Sequence, residues 1–497
     1  MMTLNQPTEI ELKLGVAWPD VARLAASPLW QDQEPRALTS IYFDTGDQHL
    51  RRAGLTLRLR AGIQTLKVMA PKASGLFERA EWEHPVQGTT PDLSLLAQTP
   101  LAAVDLGANQ LHPVFLIQVD RRTALISPTP GCQIEMAFDI GRVEAGGRVQ
   151  DFAELELERL EGPTRPLFDL ALSMAVETRL LASSQSKADR GFALLANQPV
   201  RPLKAESRLD LSGLSVGQAL SAMVREGLGH ILHNGALVAQ KREVEALHQI
   251  RVALRRLRAT LGLFKPVVAD QTFIDMRASL RALGQTMGRA RDLDVLIALI
   301  ETSDQPSARL LEALILDRGA AYDEVCRVLA SHAYGQTLLT VMAWVETGDW
   351  RQSPWSQSGL RDQPVLQFAD QALERLRRKL KTDGKDLTNL PTDAQHRVRI
   401  RAKNLRYGME LFASLYPEGL ERRRHLISAV KQVQDRLGLV NDRAVGEALL
   451  RAHATGPAAF DAGRAVANLY VGQRDAVLKA DAALRLAIDL PRFWPKP

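Results

Sequence analysis

The chain of 497 residues has two cysteines, Cys132 and Cys326, far apart and outside any CxxC or Cys/His spacing. A disulfide framework, a structural zinc site and an iron–sulfur cluster are therefore not expected. No 18-residue apolar run occurs, and the opening MMTLNQPTEIELKL lacks the basic and apolar stretches of a signal peptide. A soluble, cytoplasmic protein with no membrane partner is expected. Aromatic residues make up only 5%. Neither a helix-turn-helix nor an RNA-binding aromatic motif is visible, which argues against sequence-specific nucleic acid. No GxxxxGK[ST] loop and no Ser/His/Asp or Cys/His constellation stands out. The 33 glycines and 25 prolines follow no period, which excludes a fibrous protein.

What is present is ordinary globular material, 45% hydrophobic and 24% charged. So long a chain exceeds one core, and about two to four domains are expected. The charge is uneven: residues 1–203 carry a net −4 and residues 204–497 a net +10. The second part therefore favours polyanions.

The first 200 or so residues alternate as strands do: EIELKL (9–14), LTLRLR (55–60), ERAEWEH (78–84), QIEMAFDIG (133–141) and AELELERL (153–160). A helical stretch, 166–181, closes this region. Beyond 198–213 the apolar period becomes 3.6, and Ser215 with Gln218 has capping-box spacing for a first helix. A Pro- and Gly-containing stretch at 348–364 splits the helical region. Its two parts are a repeat: residues 245–264 match 393–412, setting His248, Arg251, Arg255 and Arg258 on His396, Arg399, Lys403 and Arg406. Further on, 286–295 match 436–445, setting Gly288 on Gly438 and Asp292 on Asp442.

Residues i and i+2 of a strand share a face. Glu9, Glu11 and Lys13 fall together, as do Arg58 with Arg60, Arg79 with Glu81 and Glu83, Glu135 with Asp139, and Glu154 with Glu156 and Glu158. One reading is a half-solvated sheet with its charges in water. Against it, Glu-x-Glu and Glu-x-Glu-x-Glu repel unless something cationic sits between them. Oxygen ligands of this kind suit Mg²⁺ or Mn²⁺, while Arg-x-Arg and single lysines suit a phosphate chain. A sheet closed into a barrel would turn both sets inward.

These residues resemble the CYTH family, the triphosphate tunnel metalloenzymes. The opening ExExK stands as Glu9-Ile-Glu11-Leu-Lys13, followed by YFDT (42–45), LRLR (57–60), TLK (65–67), EWE (81–83), ELELE (154–158) and SKADRG (186–191). The resemblance is closest to the bacterial inorganic triphosphatase branch. It implies an eight-stranded antiparallel tunnel that hydrolyses inorganic triphosphate with Mg²⁺ or Mn²⁺. Glu9, Glu11, Lys13, Glu81 and Glu83 are its implied catalytic positions. Lys13, Arg58, Arg60, Lys67, Arg79, Arg121 and Lys187 would grip phosphate, Arg121 competing with Arg122 of opposite parity. Glu9, Glu11, Glu156 and Glu158 would hold metal, with Glu135, Asp139 and Glu154 nearby. Thiamine triphosphatase and adenylate cyclase activity are the alternative chemistries.

In the helical part, Leu247, Ile250, Leu254, Leu257, Leu261 and Phe264 form a core stripe. His248, Arg251, Arg255 and Arg258 form a second stripe one position round. A solvated face would interleave acids, and no acid lies between Glu245 and Arg258 or between His396 and Arg406. His248 is either a phosphate donor or a buried, hydrogen-bonded histidine. The motifs HxxRxxxRRxR, HxxRxxxKxxR, GRARD and GLVND resemble the CHAD family, which implies inorganic polyphosphate as partner, with an association with polyphosphate granules. Arg289, Arg291, Arg436 and Arg443 would extend the basic surface.

The expected fold class is thus α+β multidomain: an N-terminal β tunnel with helices and a C-terminal all-α domain of two repeated bundles. The expected boundaries are a tunnel domain at 1–200, a linker at 201–213 and a helical domain at 214–497, with halves at about 214–347 and 365–497. The rival from another class is a non-catalytic polyphosphate-binding adaptor.

Overall fold

A computed structural model describes residues 8–30, 34–69, 75–106, 110–205, 209–268, 270–303, 306–352, 357–453, 459–469 and 473–495. The chain divides into two compact units, residues 1–201 with 330–347, and residues 202–329 with 348–497.

The first unit is built on β1 (Thr8–Val16), β2 (Arg36–Asp44), β3 (Leu55–Arg60), β4 (Ile63–Val68), β5 (Leu76–Pro85), β6 (His112–Ile126), β7 (Gln133–Ala145) and β8 (Arg148–Glu161). They run β5-β4-β3-β2-β6-β7-β8-β1, and β1 returns to pair with β5, closing an antiparallel barrel. Closure leaves none of the eight as an open edge. Alternation is why these segments are strands: Leu12, Leu14, Met136, Phe138, Leu155 and Leu157 point outward and are fully buried there, while the charged set points in.

Among the described residues up to 201, the barrel is accompanied by α1 (Trp18–Ala25), α2 (His49–Arg52), α3 (Arg165–Met174) and α4 (Lys187–Ala196). The helix expected over 166–181 stops at Met174, and Leu180–Ala182 form a ninth strand, β9, on β1. The cause is Asp20: the Arg179 amide and guanidinium both donate to its carboxylate, at 2.9 and 2.8 Å, and turn the chain towards β1. Ser186 and Asp189 form a capping box that starts α4. Gly191 lets α4 lie on β6, since a β-carbon there would fall 2.2 Å from the Phe115 ring.

The second unit holds α5 (Val216–Lys241), α6 (Val244–Leu263), α7 (Gln271–Glu301) and α8 (Ala308–Leu329), then, after α9 (His332–Thr347) has gone to the first unit, α10 (Gln357–Arg361), α11 (Val365–Asp383), α12 (Thr392–Leu411), α13 (Leu420–Ala452), α14 (Ala459–Leu469) and α15 (Gln473–Asp489). Ser215 and Gln218 cap α5 reciprocally, as their spacing implies. The core stripe of α6 is buried throughout. The two repeats meet about a pseudo-two-fold: the Val216 amide donates to Gln363 O at 2.9 Å and the Val365 amide to Leu214 O at 3.0 Å. Phe264 and its repeat equivalent Phe412 pack on one another at a ring separation of 6.2 Å.

Two stretches near the expected boundaries have specific partners. Residues 330–347 belong with the barrel and not with the first helical half; a 3.6 period marks a helix without naming its neighbour. The stretch at 201–213 is tied down: Leu203 exchanges hydrogen bonds with the Asn234 amide group at 3.0 and 2.9 Å, and the Ala205 amide donates to Gln249 at 2.9 Å. Residues 206–208 of that stretch lie outside the described residues.

Candidate functional site

The barrel interior holds a cavity of about 570 Å³ lined by Glu9, Glu11, Lys13, Arg58, Arg60, Lys67, Arg79, Glu81, Glu83, Arg121, Glu135, Glu156, Glu158 and Lys187. A second cavity of about 580 Å³ shares Arg58, Arg60, Glu83, Arg121 and Glu135 and runs out to Glu34 and Arg36. Every tunnel residue marked by parity is therefore at the cavity except Asp139 and Glu154, which are fully buried behind it. Arg121 faces inward and pairs across the ladder with Asp139, while Arg122 pairs with Phe138 on the outer face.

The cations are held by carboxylates. Lys67 Nζ lies 3.0 Å from Glu9 and 2.9 Å from Glu81. Arg79 Nε donates to Glu9 at 2.9 Å, and its other end binds Glu11. Lys13 contacts Glu156 and lies 3.1 Å from Glu11. Burial opposes its charge, but Glu11 and Glu156 outweigh burial and raise its pKa. Lys187, at the start of α4, reaches Asp139 and Glu156 at 2.8 Å each and also binds Glu154. Arg121 donates to Asp139 at 2.7 and 2.6 Å and to Glu156 at 2.8 Å. Against the opposing effect of burial, Lys13, Lys187 and Arg121 hold the Glu156 carboxyl well below its usual range.

Towards the second cavity the balance reverses. Arg58 donates to Thr65 Oγ1 at 3.0 Å and lies 3.5 Å from Glu83, and its buried Nε has no partner among the described residues. Burial, then Arg58 and Arg121, lower the Arg60 pKa to about 10. The partly unsatisfied Arg58 guanidinium, with Arg60 beside it, can take an anion.

Two carboxylate groupings bear on a cation. Asp139, Glu154 and Glu156 bring oxygens within 4.8 Å of one another, a set able to hold a metal ion. Here the Lys187 ammonium lies against all three, so they fix that lysine. Glu158 stands beside Glu11 on one strand and Glu135 on the other. Burial, then Glu9 and Glu11, raise its pKa to about 7. Such a rise marks a place where a divalent cation would relieve repulsion. Oxygen donors of Glu9, Glu11, Glu135 and Glu158 are of the kind that suit a hard divalent cation.

In the helical unit the equivalent stripes of α6 and α12 converge. Burial, then Arg255, Arg399, Arg258 and Arg406, lower the Lys403 pKa to about 8. Arg255 Nε donates to Tyr407 Oη at 3.2 Å, and Arg406 stacks over the same ring with its guanidinium carbon 4.7 Å from the centroid. Arg399 Nε is buried without a partner among the described residues. Gly288 and Gly438, paired by the repeat, lie against the equivalent arginines: β-carbons there would lie 3.3 Å from Arg251 Nη1 and 3.6 Å from Arg399 Nε. His248 is half-buried, and burial, then Arg291, lower its pKa. His396 is exposed. Arg251 lies 3.8 Å from Asp292. Arg289 is drawn away to Asp317 at 2.6 Å, which sets it apart from Arg291. The Asp442 side chain lies outside the described residues.

Some tunnel residues were given no role by the motifs, although Tyr42 stands in YFDT and Thr65 in TLK. Ser40, Tyr42, Thr56 and Thr65 line the tunnel; being neutral, they carry no charge pattern, though strand parity would have placed them. Thr65 Oγ1 bridges Arg58 and Glu83, donating to the latter at 2.9 Å. Glu410 accepts from Arg406 at 2.7 Å and faces Arg256 at 3.7 Å, the acid that the basic stripe lacked. Arg281 and Arg277 stand near Arg258, whose pKa is lowered by burial and then by these two.

A closed tunnel of facing carboxylates and cations, joined to a helical repeat with a basic centre, defines the class. The CYTH domain family matches residues 7–192 and the CHAD domain family residues 222–451. The chain is accordingly a CYTH domain followed by a CHAD domain. The inorganic triphosphatase of Haemophilus influenzae is 32% identical over 201 residues, spanning 38% of this chain and 56% of that protein. Among solved structures, the CHAD domain from the plant Ricinus communis is 26% identical, with 59% of this chain and 96% of that one covered at a TM-score of 0.49. An adenylyl cyclase candidate from Hippeastrum, described as having a dominant triphosphatase activity, is 21% identical, covering 39% of this chain and 98% of that one at a TM-score of 0.29.

Proposed function

We propose that the tunnel hydrolyses inorganic triphosphate with Mg²⁺ or Mn²⁺, and that the helical unit binds inorganic polyphosphate. The observation that carries the first part is one cavity lined by seven cations together with facing carboxylates. Lys13, Arg79, Arg121 and Lys187 are fixed by buried acids before any substrate enters, so little reorganisation is needed to meet phosphate oxygens. Arg58 and Arg60 bind the far end of the chain. Phosphoryl transfer needs neutralised charge, in-line geometry and a placed water more than a covalent nucleophile. A divalent ion held by Glu9, Glu11 and Glu158 would supply charge neutralisation and a polarised oxygen. Glu81 and Glu83 share the inner face of β5 and stand ready to take the proton of the attacking water. The P–O–P bond breaks to give phosphate and pyrophosphate.

The polyphosphate reading rests on cations from both repeats meeting at Lys403 with Arg399 Nε unpartnered. A polyanion is the ligand that removes such crowding. A panel of tripolyphosphate, thiamine triphosphate and ATP with Mg²⁺ or Mn²⁺ tests the enzyme reading. Turnover of tripolyphosphate above the others supports it. A preference for thiamine triphosphate or cyclisation of ATP replaces it, and binding without turnover leaves an adaptor.

A further inference from the structure

A β-carbon at Gly335 of α9 would lie 2.1 Å from the Leu180 carbonyl oxygen, closer than any side chain permits. The helix backbone therefore rests directly on β9. Beside it, Gln336 Nε2 donates to Ala175 O at 3.1 Å, and His332 Nε2 lies 3.1 Å from Glu177 O. Further along α9, the Met342 methyl lies 3.4 Å from where a Gly75 β-carbon would sit. None of these α9 residues lines the tunnel cavity.

What they brace does reach it. Leu180 pairs with Val16 and Ala182 with Leu14. The Ser183 amide donates to Lys13 O at 2.9 Å, and the Lys13 amide to Gly75 O at 3.0 Å. Ser186, three residues on, caps α4, whose first residue is Lys187. Of the two ammonium groups that converge on Glu156, Lys13 thus sits on the strand pair that α9 holds, and Lys187 opens the helix that follows β9.

We propose that α9 is a strut positioning the Lys13–Lys187 edge of the tunnel, with Gly335 and Gln336 as positioning residues; the catalytic consequence rests on the triphosphatase reading. The strut is supplied from residues 332–347, inside the helical stretch of the sequence, so a chain ending near residue 200 lacks it. A displacement of about 1 Å in a reacting geometry can cost up to about a hundredfold in rate.

The test uses the full chain with Gly335→Ala and, as the milder variant, Gln336→Ala. Hydrogen exchange at the Lys13 and Ser183 amides should quicken at least about tenfold in Gly335→Ala and measurably in Gln336→Ala. Tripolyphosphate kcat/KM should fall about tenfold to a hundredfold in Gly335→Ala and less in Gln336→Ala. In a Lys187→Ala background each change should lower it by a smaller factor than in the wild-type chain, because part of the strut's effect passes through that lysine. Unchanged exchange at Lys13 and Ser183, or the same loss in both backgrounds, overturns the strut. Should Gly335→Ala not fold, Gln336→Ala carries the same two comparisons. A wild-type chain without turnover refutes the triphosphatase reading alone, and the exchange data still decide whether α9 braces the edge.

Discussion

Arg121 meets Asp139 through two parallel hydrogen bonds, Nε to Oδ1 at 2.7 Å and Nη2 to Oδ2 at 2.6 Å. The pair stands on neighbouring strands in direct register. It turns the Arg121 guanidinium into the tunnel with its plane fixed, and leaves Arg122 on the far side of β6. Arg121→Ala should lower tripolyphosphate turnover by roughly 10²–10³, the cost of losing one preorganised donor. Arg122→Ala should leave turnover unchanged. A steady-state comparison of the two variants decides which arginine serves the tunnel.

Glu158 supplies a pH signature. Its folded pKa, about 7, stands above the ordinary glutamate value because of burial and of Glu9 and Glu11. The folded state then holds a proton that the unfolded state has lost, so stability falls as pH rises from about 4.5 through 7. Without metal, Tm should decline across that window, and Glu158→Gln should flatten the decline. Added Mn²⁺ or Mg²⁺ should raise Tm more at pH 8 than at pH 5.5, by mass action on the ionised set. Thermal unfolding over pH, with and without metal, measures both effects.

Lys403 gives the helical unit its own profile. With its pKa lowered to about 8, it is charged below that pH and neutral above it. A polyanion favours the charged form, so binding near pH 8 should take up a proton and affinity should drop as pH rises past 8. Lys403→Arg should remove the drop. Titration calorimetry in buffers of different ionisation enthalpy reads the proton directly.

Chain length and salt test whether both stripes act together. Long polyphosphate should bind more tightly than short, because one chain spans α6 and α12 and gains effective concentration. Affinity should fall steeply with salt as counterions are released, by analogy with nucleic acid backbones. Arg255→Ala with Arg258→Ala should weaken long-chain binding, and adding Arg399→Ala with Lys403→Ala should weaken it further. Tripolyphosphate turnover should change little. Equal affinity for short and long chains speaks against a shared site.

Much of this was legible because a strand's period is strictly 2. Parity alone set Glu9, Glu11, Lys13, Arg58 and Arg60 on the inner face, and the repeat offset aligned Arg255 with Lys403. Parity fixes a face but not a depth. Asp139 and Glu154 share the inner face yet lie behind Lys187, because α4 docks on β6 at Gly191, a long-range contact with no local pattern. Arg289 and Arg291 read as one basic pair, but two residues on a helix point about 200° apart, and Asp317 of α8 captures the first. Helical period likewise named α9 without naming β9 as its support, and Asp20 ended α3 from 159 residues away in sequence.

If the carboxylates of β1 and β8 hold a metal for hydrolysis in the tunnel, Glu11→Gln in the full chain should abolish that chemistry. Glu11 is buried, binds Arg79 and lies 3.1 Å from Lys13. Glutamine keeps its shape and removes its charge. Phosphate release from tripolyphosphate should be metal-dependent in the wild-type chain, should stop in excess chelator, and should fall at least about a hundredfold in the variant while circular dichroism stays unchanged. Wild-type turnover in Glu11→Gln, or full activity in chelator, would contradict the account.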